Sequence, residues 1–150
     1  MAKNILIVFS SFDGHTINIC EHILKNLQTN HYPKLMNLKD VKKSDLEEAE
    51  KIIVGASIRY GDHHKDLYSF IKKYKDIIEV KENAFFSVNA VARKPEKNKP
   101  ETNPYIKKFL KRTSWEPKEL GVFAGKIDYP KYNFFDKQMI RLIMWITKGP

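Results

Sequence analysis

The chain has 150 residues, of which 42% are hydrophobic and 30% charged, so it is long enough for one domain with a proper core and is not a disordered chain. Its single cysteine, Cys20, excludes a disulfide framework and a cysteine-rich metal site. The formal net charge of +9 favours anionic partners (nucleic acid, a lipid surface or a carboxylate-bearing substrate) without choosing among them.

Met1-Ala2-Lys3-Asn4 leads straight into a strand pattern with no apolar leader, which sets a cytoplasmic expectation. Residues 5–9 (Ile-Leu-Ile-Val-Phe) predict a buried first strand. Residues 16–27 predict a helix, with Ile17, Cys20, Ile23, Leu24 and Leu27 at helical spacing. Cys20 lies on the apolar face and reads as an inert core thiol. A shorter strand is expected over 32–38 and a capped helical turn over 44–50. Residues 51–57 are apolar almost throughout, as a buried parallel strand should be. A helix over 67–78 and a strand over 84–88 follow. Asn103 before Pro104 suits a cap and first position of a helix to about Arg112, and residues 120–124 predict a fifth strand.

Strands interleaved with helices in this way predict an α/β, doubly wound parallel sheet. Ligands of such sheets sit at the carboxyl ends of the strands. The loops that would meet there are 10–16, 57–64 and 89–102. The last is unusually long, and long loops in compact domains are often functional.

The first loop, Ser10-Ser11-Phe12-Asp13-Gly14-His15-Thr16, joins a strand to a helix start. Free backbone amides, the helix macrodipole and hydroxyls converge there, which suits a phosphate. Gly14 lets a backbone approach closely. Asp13 would repel a phosphate and is expected to face away. The same residues also suit a plain turn in which Ser and Thr cap the helix, and the loop alone does not decide. His15 is open between a phosphate contact and an exposed helix-start residue. Asp62-His63-His64 invites a metal reading, but neighbouring histidines on one loop lack further ligands at usable spacing, so no metal is expected.

Charge is uneven: residues 93–118 hold nine Lys or Arg against three Glu. No nucleic-acid-binding motif accompanies this run, so no nucleic-acid partner is expected. Near the end, Phe134, Phe135, Met139, Ile140, Leu142, Ile143, Met144, Trp145 and Ile146 crowd a short segment beside Lys137 and Arg141. It is too short to span a bilayer, which takes about 20 apolar residues. It suits a peripheral membrane contact from Phe134 to Ile146, a contact between copies in a homo-oligomer, or a helix packed on the sheet.

Several motifs together resemble a known family. The 10–16 loop is similar to the phosphate loop of flavodoxin-like proteins, which bind FMN. Gly55-Ala56-Ser57-Ile58-Arg59-Tyr60-Gly61 and Phe86-Ser87-Val88-Asn89-Ala90-Val91-Ala92-Arg93-Lys94-Pro95-Glu96-Lys97 resemble the flavin loops of the HemG-type, menaquinone-dependent protoporphyrinogen oxidase family. Thr102-Asn103, Lys108-Phe109-Leu110 and Tyr129-Pro130-Lys131-Tyr132 extend the resemblance over essentially the whole chain. The Ala-Arg-Lys-Pro-Glu-Lys run is its most specific part.

The resemblance implies a flavodoxin-like five-stranded sheet of order 2-1-3-4-5, with a long loop after strand 4 and an extra apolar helix near the C-terminus. It implies that Ser10, Ser11, Phe12, Asp13, Gly14, His15 and Thr16 surround the FMN phosphate. Ala56, Ser57, Ile58, Arg59, Tyr60 and Gly61 would lie along one flavin edge, with Tyr60 open between ring stacking and surface packing. Ser87, Val88, Asn89, Ala90, Val91, Ala92 and Arg93 would cover the other side. Arg59, Arg93, Lys94 and Lys97 would meet substrate propionates. The implied activity is FMN-dependent oxidation of protoporphyrinogen IX to protoporphyrin IX, with electrons passed to a membrane quinone (menaquinone or ubiquinone) at the inner face of the cell membrane. No catalytic base is identified. A flavodoxin-like electron carrier, or a quinone reductase, is the alternative, and carriers of that kind are typically acidic. Family members continue beyond the position of Pro150 with a closing helix, which sets the expectation of a single flavodoxin-like domain over 1–150 without it.

Overall fold

The computed structural model describes residues 2–10, 15–59, 62–89, 100–123 and 137–147. Its elements are β1 (Asn4–Ser10), α1 (His15–Leu27), β2 (Tyr32–Asn37), a 3-10 turn (Leu38–Asp40), α2 (Lys43–Glu48), β3 (Lys51–Arg59), β4 (Asp62–His63), α3 (Lys65–Glu79), β5 (Glu82–Val88), α4 (Pro104–Arg112), β6 (Glu119–Phe123) and α5 (Lys137–Thr147). The sheet runs β2-β1-β3-β5-β6, and all of these neighbours are parallel. Numbering the five parallel strands alone gives 2-1-3-4-5. The departure from the expected five strands is β4, a two-residue antiparallel partner of β3 in which Ile58 faces His63. Two residues carry no periodicity, so nothing in the pattern announces β4.

Alternation along the strands divides the core into two layers. Leu6, Val8, Ile52, Val54, Phe85 and Val122 face α2, α3 and α4. Ile5, Ile7, Ile53, Phe86, Val88 and Phe123 face α1 and α5. Cys20 is wholly buried in the second layer, and burial pushes its thiol pKa up, as an inert core position requires.

The apolar C-terminal segment is a covering helix over its described part. Leu142 and Ile146 of α5 are buried in the second layer, and Ile143 and Trp145 pack against it. Its face is therefore divided: the core takes these residues, while Met144 stays exposed. Lys51, at the start of β3, ties this helix down. Its buried amine donates to the carbonyls of Trp145 (3.1 Å) and Ile146 (2.8 Å) at the helix C-terminus, where carbonyls lack intrahelical partners. No helix among the described residues is long and apolar enough to cross a membrane.

Candidate functional site

Because the long strands are parallel, their carboxyl ends share one edge of the sheet. Ser10, Ala56 and Ser87 stand in one row there, paired across β1, β3 and β5. Just beyond β1, α1 begins at His15 and presents its N-terminus to the same edge. Thr16 lies in that first turn. It is wholly buried, and its Oγ1 has no hydrogen-bond partner among the described residues. Buried hydroxyls are nearly always paired. An orphan hydroxyl beside the free N–H groups of a helix start fits the oxygens of a bound anion.

Beside this cradle lies a buried polar chain that the sequence reading did not assemble. His63 Nε2 and Ser87 Oγ are 2.9 Å apart. Asn89 Nδ2 donates to Ser87 Oγ at 3.0 Å and to Asn103 Oδ1 at 3.2 Å. Asn103 Nδ2 donates back to Asn89 Oδ1 at 2.9 Å. Asn103 is the cap of α4, its Oδ1 accepting from the backbone amides of Tyr105 and Ile106. The His63 ring stands edge-on to Phe85 (5.6 Å) and Phe109 (5.7 Å), which stack on each other at 3.8 Å. In this apolar box burial is the main force lowering the His63 pKa, to about 4. Lys108 and Arg112 push the same way, and Asp62 opposes them.

Asp62 gathers a second cluster on the rim. It accepts from the His63 backbone amide (2.8 Å) and the Tyr68 hydroxyl (3.2 Å), and pairs with Arg112 and Lys108. Partial burial would raise the Asp62 pKa, but these donors and cations hold it below its ordinary value. The Arg112 guanidinium also lies 3.9 Å from the Tyr68 ring centroid. So α4 is tied to the rest of the fold at both ends, by Asn103 and by Arg112. Asp62-His63-His64 is thereby accounted for: Asp62 meets cations, His63 turns inward, and His64 Nδ1 caps α3 by accepting from the Asp66 amide.

The residues expected around a flavin divide into three groups. Ser10 and Ser57 are buried polar residues at the carboxyl ends of β1 and β3, and Thr16 is one in the first turn of α1. Ala56 and Val88 are core residues, and Ser87 and Asn89 spend their side chains on the internal chain, so what these four present to a ligand is backbone. Ile58 is half-buried. Ser11, Phe12, Asp13, Gly14, Tyr60, Gly61, Ala90, Val91, Ala92, Arg93, Lys94 and Lys97 lie outside the described residues, as do the side chains of His15 and Arg59. His63 and Asn103 are the polar residues that sequence reasoning left out of the site. Asn103 was legible as a helix cap and as part of the family resemblance but not as a site residue, and His63 only as one of two adjacent histidines.

Comparison with known proteins gives one family and two kinds of relative. The Flavodoxin domain family matches residues 6–150. The chain is 41% identical over 146 residues to the protoporphyrinogen IX dehydrogenase (quinone) of Leishmania major, covering 96% of this chain and 63% of that protein, so it spans under two thirds of that relative's length. It is 39% identical over 145 residues to the protein of the same name from Escherichia coli, covering 96% of this chain and 80% of that one. Among solved structures it is similar to Flavodoxin 2 of Bacillus cereus, with a TM-score of 0.65, 17% identity, and coverage of 95% of this chain and 96% of that one. It is also similar to the Fusobacterium nucleatum flavodoxin bound to flavin mononucleotide, with a TM-score of 0.59, 17% identity, and coverage of 97% and 95%. At such identities the likeness is one of fold.

Proposed function

This chain belongs to the flavodoxin-domain family, and from that premise we propose that it is an FMN-dependent dehydrogenase that oxidises protoporphyrinogen IX to protoporphyrin IX and passes the electrons to a membrane quinone. A flavin is the cofactor class that the family match supports. The observation that carries the reading on this chain's own residues is the Thr16 hydroxyl, buried at the start of α1 with no hydrogen-bond partner among the described residues. It donates to a phosphate oxygen, together with the free amides of the helix start and the Ser10 hydroxyl at the end of β1. Bound FMN supplies the two-electron acceptor that the protein's side chains lack.

The chain's own residues bind and orient. The edges of β3 and β5, at residues 56–59 and 87–89, offer backbone to the two sides of the ring. Arg59, Arg93, Lys94 and Lys97 attract the propionates of the substrate, and a chain of net charge +9 suits a dianionic guest. The segment from Phe134 to Ile146 makes a peripheral contact at the inner face of the membrane, where a quinone is reached. Within it, the exposed Met144 remains for that contact after Leu142 and Ile146 enter the core, while Arg141 pairs with Glu119 at 3.0 Å.

The test is an absorption spectrum of FMN-loaded protein, followed by protoporphyrinogen IX without oxygen or quinone. The expected result is bleaching of the oxidised flavin band as porphyrin absorbance grows. A bound flavin that stays oxidised under substrate rejects the dehydrogenase and leaves an electron carrier.

A further inference from the structure

Asn89 ends β5 and Asn103 opens α4, and the two clasp each other through a reciprocal pair of amide hydrogen bonds. The direction of each bond from Asn103 through Asn89 to Ser87 follows from one fixed point. Asn103 Oδ1 receives the amides of Tyr105 and Ile106, so it is an acceptor. Its Nδ2 must then donate to Asn89 Oδ1, which turns Asn89 Nδ2 toward Ser87. Ser87 Oγ therefore accepts from Asn89 and has its own proton left to give. The partner in reach is His63 Nε2, at 2.9 Å. The chain runs from the start of α4 to His63: Ser87 Oγ gives its proton to an Nε2 that carries none, or accepts from an Nε2–H on its second lone pair, and in either tautomer His63 Nδ1 is buried with no hydrogen-bond partner among the described residues.

We infer that His63 is a positioning residue for the flavin: through the hydrogen bond between its Nε2 and the Ser87 hydroxyl it fixes Asn89, and with it the strand-end backbone that meets the ring. The inference rests on the flavin reading above. Three further observations support it. His63 is buried against Phe85 and Phe109, so its ring has little freedom to turn. The Asn89 backbone amide is itself held by the Phe123 carbonyl at 2.9 Å, so main chain and side chain of this residue are pinned together. The clasp also joins the strand end that follows β5 to the helix that carries Lys108 and Arg112. Pre-setting backbone groups in this way lowers the ordering cost of binding.

The experiment compares FMN affinity, by quenching of flavin fluorescence, and the visible flavin spectrum in the parent and four variants. His63→Phe keeps the ring contacts but removes the hydrogen-bond partner of Ser87; it weakens FMN binding by about tenfold and shifts the flavin band. His63→Gln restores a hydrogen-bonding group near Nε2, and both its affinity (within about twofold) and its band match the parent. Ser87→Ala reproduces the His63→Phe loss, and combining the two adds nothing further. Unchanged affinity and spectrum in His63→Phe, failure of Gln to rescue, or additive losses in the double variant would each overturn the inference. Should His63→Phe fail to fold, His63→Gln against Ser87→Ala decides it: parent-like behaviour in both overturns it. A parent protein that takes up no FMN overturns the flavin reading instead.

Discussion

Gly55 lies directly beneath the Phe86 ring. A Cβ built on Gly55 would stand 2.1 Å from Phe86 Cζ, and the two residues are register partners on β3 and β5. The ring can cover the strand only because nothing projects from residue 55. Phe86 in turn meets the edge of Phe123 at 5.4 Å, so a displaced ring has no vacant place within its layer. Gly55→Ala is expected to destabilise the protein by about 3 kcal/mol, the upper range for overpacking a close-packed core. Urea unfolding measures this directly, and a midpoint equal to that of the parent would contradict the packing argument.

Lys51 and α5 give a second prediction. The amine is buried and donates to two carbonyls at the negative end of a helix dipole. Burial lowers its pKa, the expected sign for a desolvated ammonium. Lys51→Met keeps the stem but strands those carbonyls, at a cost of about 2 kcal/mol. Because the amine also lies 5.0 Å from the Trp145 ring, Trp145 emission should change in the same variant. Denaturant unfolding followed by fluorescence checks both, and an unaltered emission spectrum would place the helix end elsewhere.

His63 makes stability depend on pH. Its folded-state pKa is lowered to about 4 from 6.5, mainly by burial. The unfolded chain therefore binds more protons between those values, and stability rises with pH across that window. The contribution is complete above pH 6.5 and is lost as pH falls toward 4, about 3 kcal/mol in all. Asp62, held below 3.8, titrates beneath the window. Comparing the unfolding free energy at pH 7 and pH 4.5 should show a smaller drop in His63→Gln than in the parent. Equal drops would mean that other groups, such as His22 and His31, carry the effect.

The parts of the fold that were legible in sequence are those with a period. Residues 51–57 read as a buried strand because their side chains are apolar on both faces, and the structure extends that strand to Arg59. Lys51 was read only as the first residue of that strand; its partner is 95 residues away, and no local pattern links them. The Asn103 cap was legible because capping is local, whereas its bond to Asn89 depends on how α4 docks. Leu142 and Ile146 have the composition of a membrane-facing helix, and composition alone does not say whether lipid or a sheet receives them. A phosphate site was expected from hydroxyls at a strand–helix junction; that the Thr16 hydroxyl has no partner among the described residues is a property of the packed structure.

Thr16 separates a ligand contact from a structural one by the sign of two effects. If its hydroxyl served the fold, replacing it with a methyl would destabilise the protein. Here Oγ1 is buried without a partner among the described residues, so the free protein bears its desolvation with nothing in return. Thr16→Val keeps the shape and has similar helix propensity. It should stabilise the FMN-free protein by about 1 kcal/mol while weakening FMN by about tenfold, since the phosphate loses a donor. Calorimetric melting of FMN-free protein and a fluorescence titration with FMN read the two effects separately. A destabilised FMN-free protein would mean that the hydroxyl has a structural partner, and an unchanged FMN affinity would remove Thr16 from the phosphate site.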